Sequence, residues 1–351
     1  MGIIRSHAAF YLDARARGVD FARTLTLGRQ RLYVTHHELD DLARRYHIAE
    51  RGDLRYGEAA DGFLRQFLGV RDLQTIDHSS YEGATLMHDL NQPVPNAWRE
   101  QFDVVLDSGT LEHIFNVPVA LASCMQLVKR GGTLFLASPA NNLCGHGFYQ
   151  FSPELFFRLF KDANGFALTR IVLVTHPFPG AELSPRQEWY EVIDPADIGV
   201  RVPIVTSTPA FLMIEAKRAD IVPVLIEAPQ QSDYVTRWGQ EGREGQEGQE
   251  GREGQEGRDG WQEGPTGQEG SVPSRPSRTS GSIPPPVLPF PPLLPFRPFR
   301  PLLRSAFKRL PSRLQALAIG WYQRVVLCTL RNRRAFRRIS ETPPPPSSVS
   351  R

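Results

Sequence analysis

Apolar and polar residues are patterned most clearly in the middle of the chain, over residues 102–153. Residues 102–107 form a short apolar run of the kind that a buried strand shows. Residues 116–129 carry apolar side chains near helical spacing. A Gly-Gly pair follows, which we expect to end the helix in a turn, and residues 133–138 form a second apolar run. This order predicts one βαβ unit, and such units build parallel sheets that are covered by helices.

Similar patterns on both sides of this unit extend the predicted sheet. Thr35, with Glu38 three residues later, is a capping-box pattern that predicts the start of a helix. The last two apolar runs have no helix pattern between them, and we expect the roughly 30 residues that join them to be a binding loop or lid. The predicted strands are residues 24–28, 73–77, 84–87, 168–175 and 208–216, and the predicted helices are residues 1–20 (a leading helix or cap), 35–47, 54–70 and 152–163.

Two segments of the central unit resemble a known family. FDVVLDSGTLEHI, at residues 102–114, and LVKRGGTLFLASP, at residues 127–139, are similar to the fourth and fifth strands, with their turns, of class I S-adenosylmethionine-dependent methyltransferases. The resemblance covers roughly residues 20–217. It implies a Rossmann-like open α/β fold, with a mostly parallel sheet of seven strands whose last strand is antiparallel. It also implies S-adenosylmethionine as the cofactor.

In this fold the cofactor lies across the carboxyl ends of the strands. The resemblance implies that Asp77 binds the ribose hydroxyls, a task that suits a carboxylate, and that Asp89 contacts the adenine. From the residues alone, Asp77 is also an ordinary residue at a strand end, and Asp89 could instead cap a turn. The complete set of predicted cofactor-binding residues is Gly28, Asp77, Asp89 and Asp107, each at the end of a predicted strand or just after it.

The glycine loop that the family carries after its first strand is degenerate in this sequence. Gly28 remains, but Gln30 and Leu32 stand where further glycines are usual, and Thr26 stands where an acidic residue is usual. Glycines let a backbone approach a ligand closely, and larger side chains crowd that approach. Gly28 is therefore equally consistent with a cofactor contact and with a plain strand-to-helix turn.

Two histidines are the candidate catalytic residues. His113 follows the fourth family strand, and His146 lies in a glycine-rich and aromatic loop that could cover an acceptor. Histidine has the pKa range of a general base. In a metal-dependent branch of the family, Glu-x-x-Glu-His and a later histidine bind a divalent cation. Here Gly109 replaces the first Glu, so we expect no metal; Glu112 and His113 could instead cap the following helix.

The last third of the chain has a different composition. Glycine recurs at every third position over residues 239–260, but the triplets contain no proline, so a collagen triple helix is not expected and a solvated linker is. Residues 283–301 are rich in proline. The predicted domains are residues 1–220 (methyltransferase-like), 221–300 (disordered linker), 301–340 (basic amphipathic helical tail) and 341–351 (disordered end).

Charge is segregated along the chain, although the formal net charge is only +3. Residues 271–340 contain arginines and lysines but no Asp or Glu, which indicates an interaction tail. Apolar residues recur at helical spacing over residues 310–330 but are too interrupted for a membrane span. We therefore expect residues 301–340 to lie on an anionic membrane surface or to dock on a protein partner. Nucleic-acid binding is not expected, because the tail has no recognised reading motif.

These patterns lead to two functional hypotheses. The first is an S-adenosylmethionine-dependent methyltransferase that methylates an oxygen or nitrogen of a small-molecule or glycan-like acceptor. The second is a catalytically inactive, methyltransferase-like binding or scaffold protein that attaches to a membrane or a partner through its basic tail. The 3 cysteines, an odd number, favour reduced thiols, and the start of the chain lacks the apolar core of a secretory signal. The expected location is the cytoplasm, with peripheral attachment at the inner membrane surface if the tail binds lipid.

Overall fold

The computed structural model describes residues 2–49, 52–176, 187–199, 201, 204, 206–235 and 333–340. These residues include almost all of the predicted methyltransferase-like domain. The predicted linker beyond residue 235, the predicted helix at residues 310–330 and the predicted disordered end lie outside them, so the proposed attachment through the tail stays a prediction. No described helix has the length and the apolar content that crossing a membrane requires.

Strands and helices alternate through the first 220 residues, as the hydrophobic pattern predicts. The helices are α1 (Arg5–Ala16), α2 (His36–Arg45), α3 (Asp61–Leu68), α4 (Val117–Leu127), α5 (Pro153–Leu159) and α6 (Pro195–Ile198). The strands are β1 (Gly2–Ile4), β2 (Arg23–Leu27), β3 (Arg31–Tyr33), β4 (Asp72–Asp77), β5 (Leu86–Met87), β6 (Phe102–Ser108), β7 (Val128–Asn141), β8 (Phe166–Thr175), β9 (Glu188–Val192), β10 (Ala210–Arg218) and β11 (Phe336–Ile339).

The main sheet of the described residues has the strand order β11-β9-β8-β10-β7-β6-β2-β4-β5, and β1 pairs separately with β3. Neighbouring strands are parallel from β5 to β7, whereas β10 is antiparallel to both β7 and β8. The chain runs outward from β2 to β4 and β5 and then continues on the other side of β2, so the strand order reverses between β2 and β6. The predicted Rossmann-like sheet, with an antiparallel strand late in the chain, is confirmed.

The predicted number of seven strands is wrong, because β9 and β11 extend the sheet beyond β8. β9 lies in the segment that was expected to be one long loop, and β11 lies in the segment that was expected to be a helical tail. Phe336 of β11 is 2% exposed and pairs with Val192 of β9. The free edge of the sheet offers backbone partners and a place to bury Phe336, and neither advantage is visible in local periodicity.

Helices cover both faces of the sheet, because successive side chains of a strand point to opposite sides. In β6, Val105 belongs to a hydrophobic cluster with residues of α4 and α5. Its neighbours Val104 and Leu106 belong to a second cluster with residues of α1, α2 and α3. The result is a three-layer core that holds the parallel strands in register and places their carboxyl ends at one edge.

The start of α2 and the end of α4 illustrate where local reasoning succeeds and fails. The capping box at Thr35 is confirmed, since Glu38 accepts the Thr35 N–H at 2.9 Å. By contrast, the Gly-Gly pair does not form a turn after α4, because β7 begins directly after that helix. The pairing of β7 with β6 is irregular there, and a Cβ at Gly132 would lie 2.7 Å from the carbonyl oxygen of Asp103. The glycines therefore permit a bulge within β7.

Candidate active site

The carboxyl ends of β5, β4, β2 and β6 lie side by side where the strand order reverses. Gly28, after β2, donates its N–H to the carbonyl of Ile76 in β4 at 2.8 Å. Thr110, after β6, donates its hydroxyl to the carbonyl of Leu27 at 2.9 Å. In open α/β sheets, ligands bind in the crevice outside such strand ends. The structure places the predicted residues Gly28, Asp77, Asp89 and Asp107 along this edge.

The turn after β2 holds a buried glutamine where the family usually has glycine. The Gln30 amide donates to the carbonyls of Leu27 at 2.6 Å and Gly28 at 3.3 Å, so the side chain is held within its own turn. Gly28 has φ 65°, a conformation that favours glycine. Thr26, at the usual acidic position, instead bonds to the hydroxyl of Thr75 in β4 at 3.0 Å. In this turn, which corresponds to the glycine loop of the family, the backbone of Gly28 is therefore the candidate cofactor contact.

Asp77 and Asp89 differ in how far their carboxylates are already engaged. Asp77 is partly buried at the last position of β4, and its carboxylate makes no hydrogen bond among the described residues. Asp89 accepts the backbone N–H of Asn91 at 2.9 Å and its side-chain amide at 2.8 Å. These bonds, the backbone one first, lower the pKa of Asp89 below its ordinary value. Asp77 is therefore open to a ligand, whereas Asp89 caps a turn, the alternative that its own sequence neighbours suggested.

Asp107 is fully buried beneath the turn that follows β6. Its carboxylate accepts the N–H of Thr110 at 2.8 Å and lies 3.4 Å from the N–H of Leu111. Burial, and after it the neighbouring carboxylate of Glu112, raise the pKa of Asp107 to about 8. The geometry therefore favours Asp107 as a residue that shapes the turn, because a carboxylate enclosed in this way does not face the crevice.

Glu112 brings the two predicted catalytic histidines together. Its Oε1 lies 3.4 Å from Nε2 of His146 and 3.9 Å from Nε2 of His113, and the two imidazole rings are 5.3 Å apart. Glu112 is buried, whereas both histidines are about half exposed. The ligand atoms of the three residues lie within 4.8 Å of one another, so the cluster has a geometry that could also hold a divalent cation.

The loop that carries His146 is hydrogen-bonded to the backbone of Glu112. The N–H of Phe148 donates to the carbonyl of Glu112 at 2.8 Å. Gly147 has φ 90°, and a Cβ there would lie 2.8 Å from the same carbonyl oxygen. Glycine at this position therefore lets the loop approach the turn after β6 closely enough to place His146 beside Glu112.

A cavity of about 330 Å³ adjoins this cluster, with Glu112 and His146 in its wall. Ser108 and Gly109, at the carboxyl end of β6, also line it. Ser108 is the last residue of β6, so this side of the cavity lies at the carboxyl end of that strand. The volume is at the lower end of the range for sites that bind small molecules.

Sequence reasoning missed two further histidines in the wall of this cavity, His7 of α1 and His176 after β8. Their rings lie 5.3 and 4.8 Å from the ring of Phe211. Burial lowers the pKa of His7 to about 4, so its imidazole is neutral at pH 7. Neither histidine lies near a recognisable motif, and only the packing of distant segments at the sheet edge brings them here.

Comparison with known proteins gives matches among solved structures alone: no protein-family model and no curated protein matches the chain. The branched-chain polyamine synthase from Thermus thermophilus matches with a TM-score of 0.31 and 15% identity, over 65% of this chain and 60% of the synthase. The 1,6-didemethyltoxoflavin-N1-methyltransferase from Burkholderia thailandensis matches with a TM-score of 0.33 and 15% identity, over 61% of this chain and 77% of that chain. YcgJ from Bacillus subtilis matches with a TM-score of 0.35 and 14% identity, over 60% of this chain and 98% of YcgJ.

The chain resembles the class I methyltransferases. The resemblance rests on the motifs of residues 102–114 and 127–139 and on the open sheet in which the structure places them. In this methyltransferase-like domain, Gly28 and Asp77 lie at the crevice, and Glu112 and His146 line the adjoining cavity.

Proposed function

We propose that the methyltransferase-like domain transfers a methyl group from S-adenosylmethionine to an oxygen or nitrogen of a small-molecule acceptor. The observation that carries the proposal is that Ser108 and Gly109 line the cavity at the carboxyl end of β6, the strand that pairs with β2. Methyl transfer is an in-line displacement, so donor and acceptor must be held next to each other in a defined orientation. Two neighbouring binding spaces at one strand end meet that requirement.

The residues at the crevice fit a nucleoside ligand. The carboxylate of Asp77 is free to accept hydrogen bonds from two ribose hydroxyls. The backbone of Gly28 presents no side chain to the ligand, and Gly109, with φ 99°, does the same on the β6 side. Asp107 would contribute by fixing the turn that contains Gly109, and Asp89 by shaping the loop after β5.

The cavity residues account for acceptor binding and proton transfer. Bound S-adenosylmethionine supplies an electrophilic methyl carbon, to which the acceptor's lone pair bonds while the C–S electron pair stays on sulfur. Glu112 and His146 are placed to take the proton that the acceptor loses, and His113 lies beside them. A volume of about 330 Å³ suits a small molecule, or a single terminal unit of a glycan-like acceptor.

Calorimetric titration with S-adenosylhomocysteine tests the cofactor half of this proposal. We expect micromolar binding, and a loss of at least about tenfold in Asp77→Asn, because hydrogen bonds to a charged acceptor are the stronger ones. Asp72→Asn is the matched control: it lies at the opposite, exposed end of β4, and its ion pair with Arg23 is exposed. No detectable heat at millimolar ligand in the wild type would contradict the proposal and favour the inactive binding protein.

A further inference from the structure

The carboxyl group of Glu112 is buried and has few polar partners among the described residues. It is 1% exposed, and the ion-pair partners of its side chain among the described residues are His113 and His146. Its Oε2 is buried and has no hydrogen-bond donor in the described part of the chain. A buried carboxylate is costly unless a cation and hydrogen-bond donors satisfy it. The arrangement therefore calls for a positively charged ligand.

The rest of the described cavity wall contains no lysine or arginine that could supply this positive charge. Glu112 is the only Asp, Glu, Lys or Arg among the described residues that line the cavity. His7 adds no positive charge at neutral pH, because its buried imidazole is neutral. An anionic acceptor would meet a carboxylate here, without the arginine or lysine that recognises carboxylate and phosphate groups. The charge of the wall thus selects against anions.

Aromatic side chains form another part of the wall. The rings of Tyr33 and Tyr56 are 5.5 Å apart and steeply tilted, and Phe211 stacks on His176 with a centroid distance of 4.8 Å. Aromatic faces attract ammonium groups and bury apolar organic surface. A metal ion alone would need only ligand atoms, whereas a partly aromatic space of about 330 Å³ accommodates an organic body.

We infer that the methyl acceptor is a small organic amine, whose ammonium group binds at Glu112 while its apolar body lies among Tyr33, Tyr56 and Phe211. This inference rests on the proposed function and narrows it from oxygen or nitrogen to nitrogen.

The chemistry balances with the groups at hand. The bound ammonium loses one proton to Glu112 or His146, which frees the nitrogen lone pair. That pair forms the N–C bond to the transferred methyl, and the C–S pair remains on sulfur, which becomes a neutral thioether. The N-methylated product is again an ammonium, and the base releases its proton to water.

Paired amines and alcohols test the inference on the full-length protein, without cofactor and in EDTA. The probes are benzylamine, phenethylamine and tyramine, each titrated calorimetrically beside the alcohol that has OH in place of NH₃⁺. We expect at least one amine to bind tenfold or more tightly than its alcohol. Glu112→Gln, which keeps the shape and removes the charge, should abolish that preference. Glu191→Gln is the control and should keep the preference, because Glu191 is a partly exposed residue of β9 that does not line the cavity.

Two results would overturn the inference. Amines that bind no better than their alcohols to the wild type would show that Glu112 does not select a cation of this kind, and this comparison does not depend on the variant's folding. In a separate titration without EDTA, micromolar binding of Mn²⁺ that depends on Glu112, with no competition from amines, would assign the carboxylate to a metal site. If S-adenosylhomocysteine binds and amines do not, the proposed function stands and the amine inference fails. If amines bind and S-adenosylhomocysteine does not, the cavity is an amine site and methyl transfer is contradicted.

Discussion

The buried carboxylate of Asp107 makes a sharp prediction about stability and pH. Burial and the neighbouring Glu112 raise its pKa from 3.8 to about 8 in the folded protein. A raised pKa means that folding favours the protonated form. The contribution of Asp107 to stability is therefore fully present below about pH 4, falls as the pH rises, and is lost above about pH 8. Asp107→Asn has the same shape and does not ionise.

The magnitude follows from the pKa shift. Each pKa unit corresponds to about 1.4 kcal/mol, so a shift from 3.8 to about 8 corresponds to roughly 6 kcal/mol. We expect the free energy of unfolding of Asp107→Asn, relative to the wild type, to rise by an amount of this order between pH 4 and pH 8. His7 titrates with the opposite sign, since its pKa is lowered to about 4, but it is present in both proteins and cancels in the difference.

Urea unfolding at each pH from 4 to 8, followed by the fluorescence of the 5 tryptophans, measures this difference. The informative quantity is how the difference in the free energy of unfolding between the two proteins changes with pH. The difference at pH 4 itself contains only the effect of replacing the acid by the amide. Parallel stability curves would mean that Asp107 ionises as an exposed carboxylate does. If the wild type instead becomes more stable relative to Asp107→Asn towards pH 8, the N–H groups of the turn stabilise the ionised carboxylate. Either result would refute the raised pKa of Asp107.

Two further predictions concern β11 and the loop over the site. Phe336→Ala should lower the free energy of unfolding by about 3–5 kcal/mol, because it removes a buried ring. Arg337→Ala, on the exposed side of the same strand, should change it by less than about 1 kcal/mol. Equal effects of the two substitutions in urea unfolding would argue against the pairing of β11 with the sheet. Gly147→Ala should lower the melting temperature, because its φ of 90° and the nearby carbonyl of Glu112 leave no room for a Cβ. Gly145→Ala should not, because a Cβ there would have no atom within 4 Å. An unchanged melting temperature in both variants would show that the loop does not pack against Glu112.

The sequence by itself determined those elements whose pattern is local. The apolar run of β6, the helical spacing of α4 and the capping box at Thr35 were all predicted within a few residues, because burial periodicity and cap hydrogen bonds involve neighbours along the chain. The loops after β6 and β7 also gave His113 and His146 as candidate catalytic residues, and their catalytic role stays a prediction. The pattern also predicted Asp77 at the end of a strand, whereas its role as a cofactor contact came from the family resemblance and stays a prediction.

Only the tertiary structure decided what distant segments do to one another. The edge strands β9 and β11 form because a sheet edge offers backbone partners that no local pattern reveals. The burial of Asp107 beneath its turn could not be inferred from its place at a strand end, since exposure depends on what packs above it. His7 and His176 are far apart in the sequence but line the same cavity, and they become neighbours only once α1 has packed on the sheet.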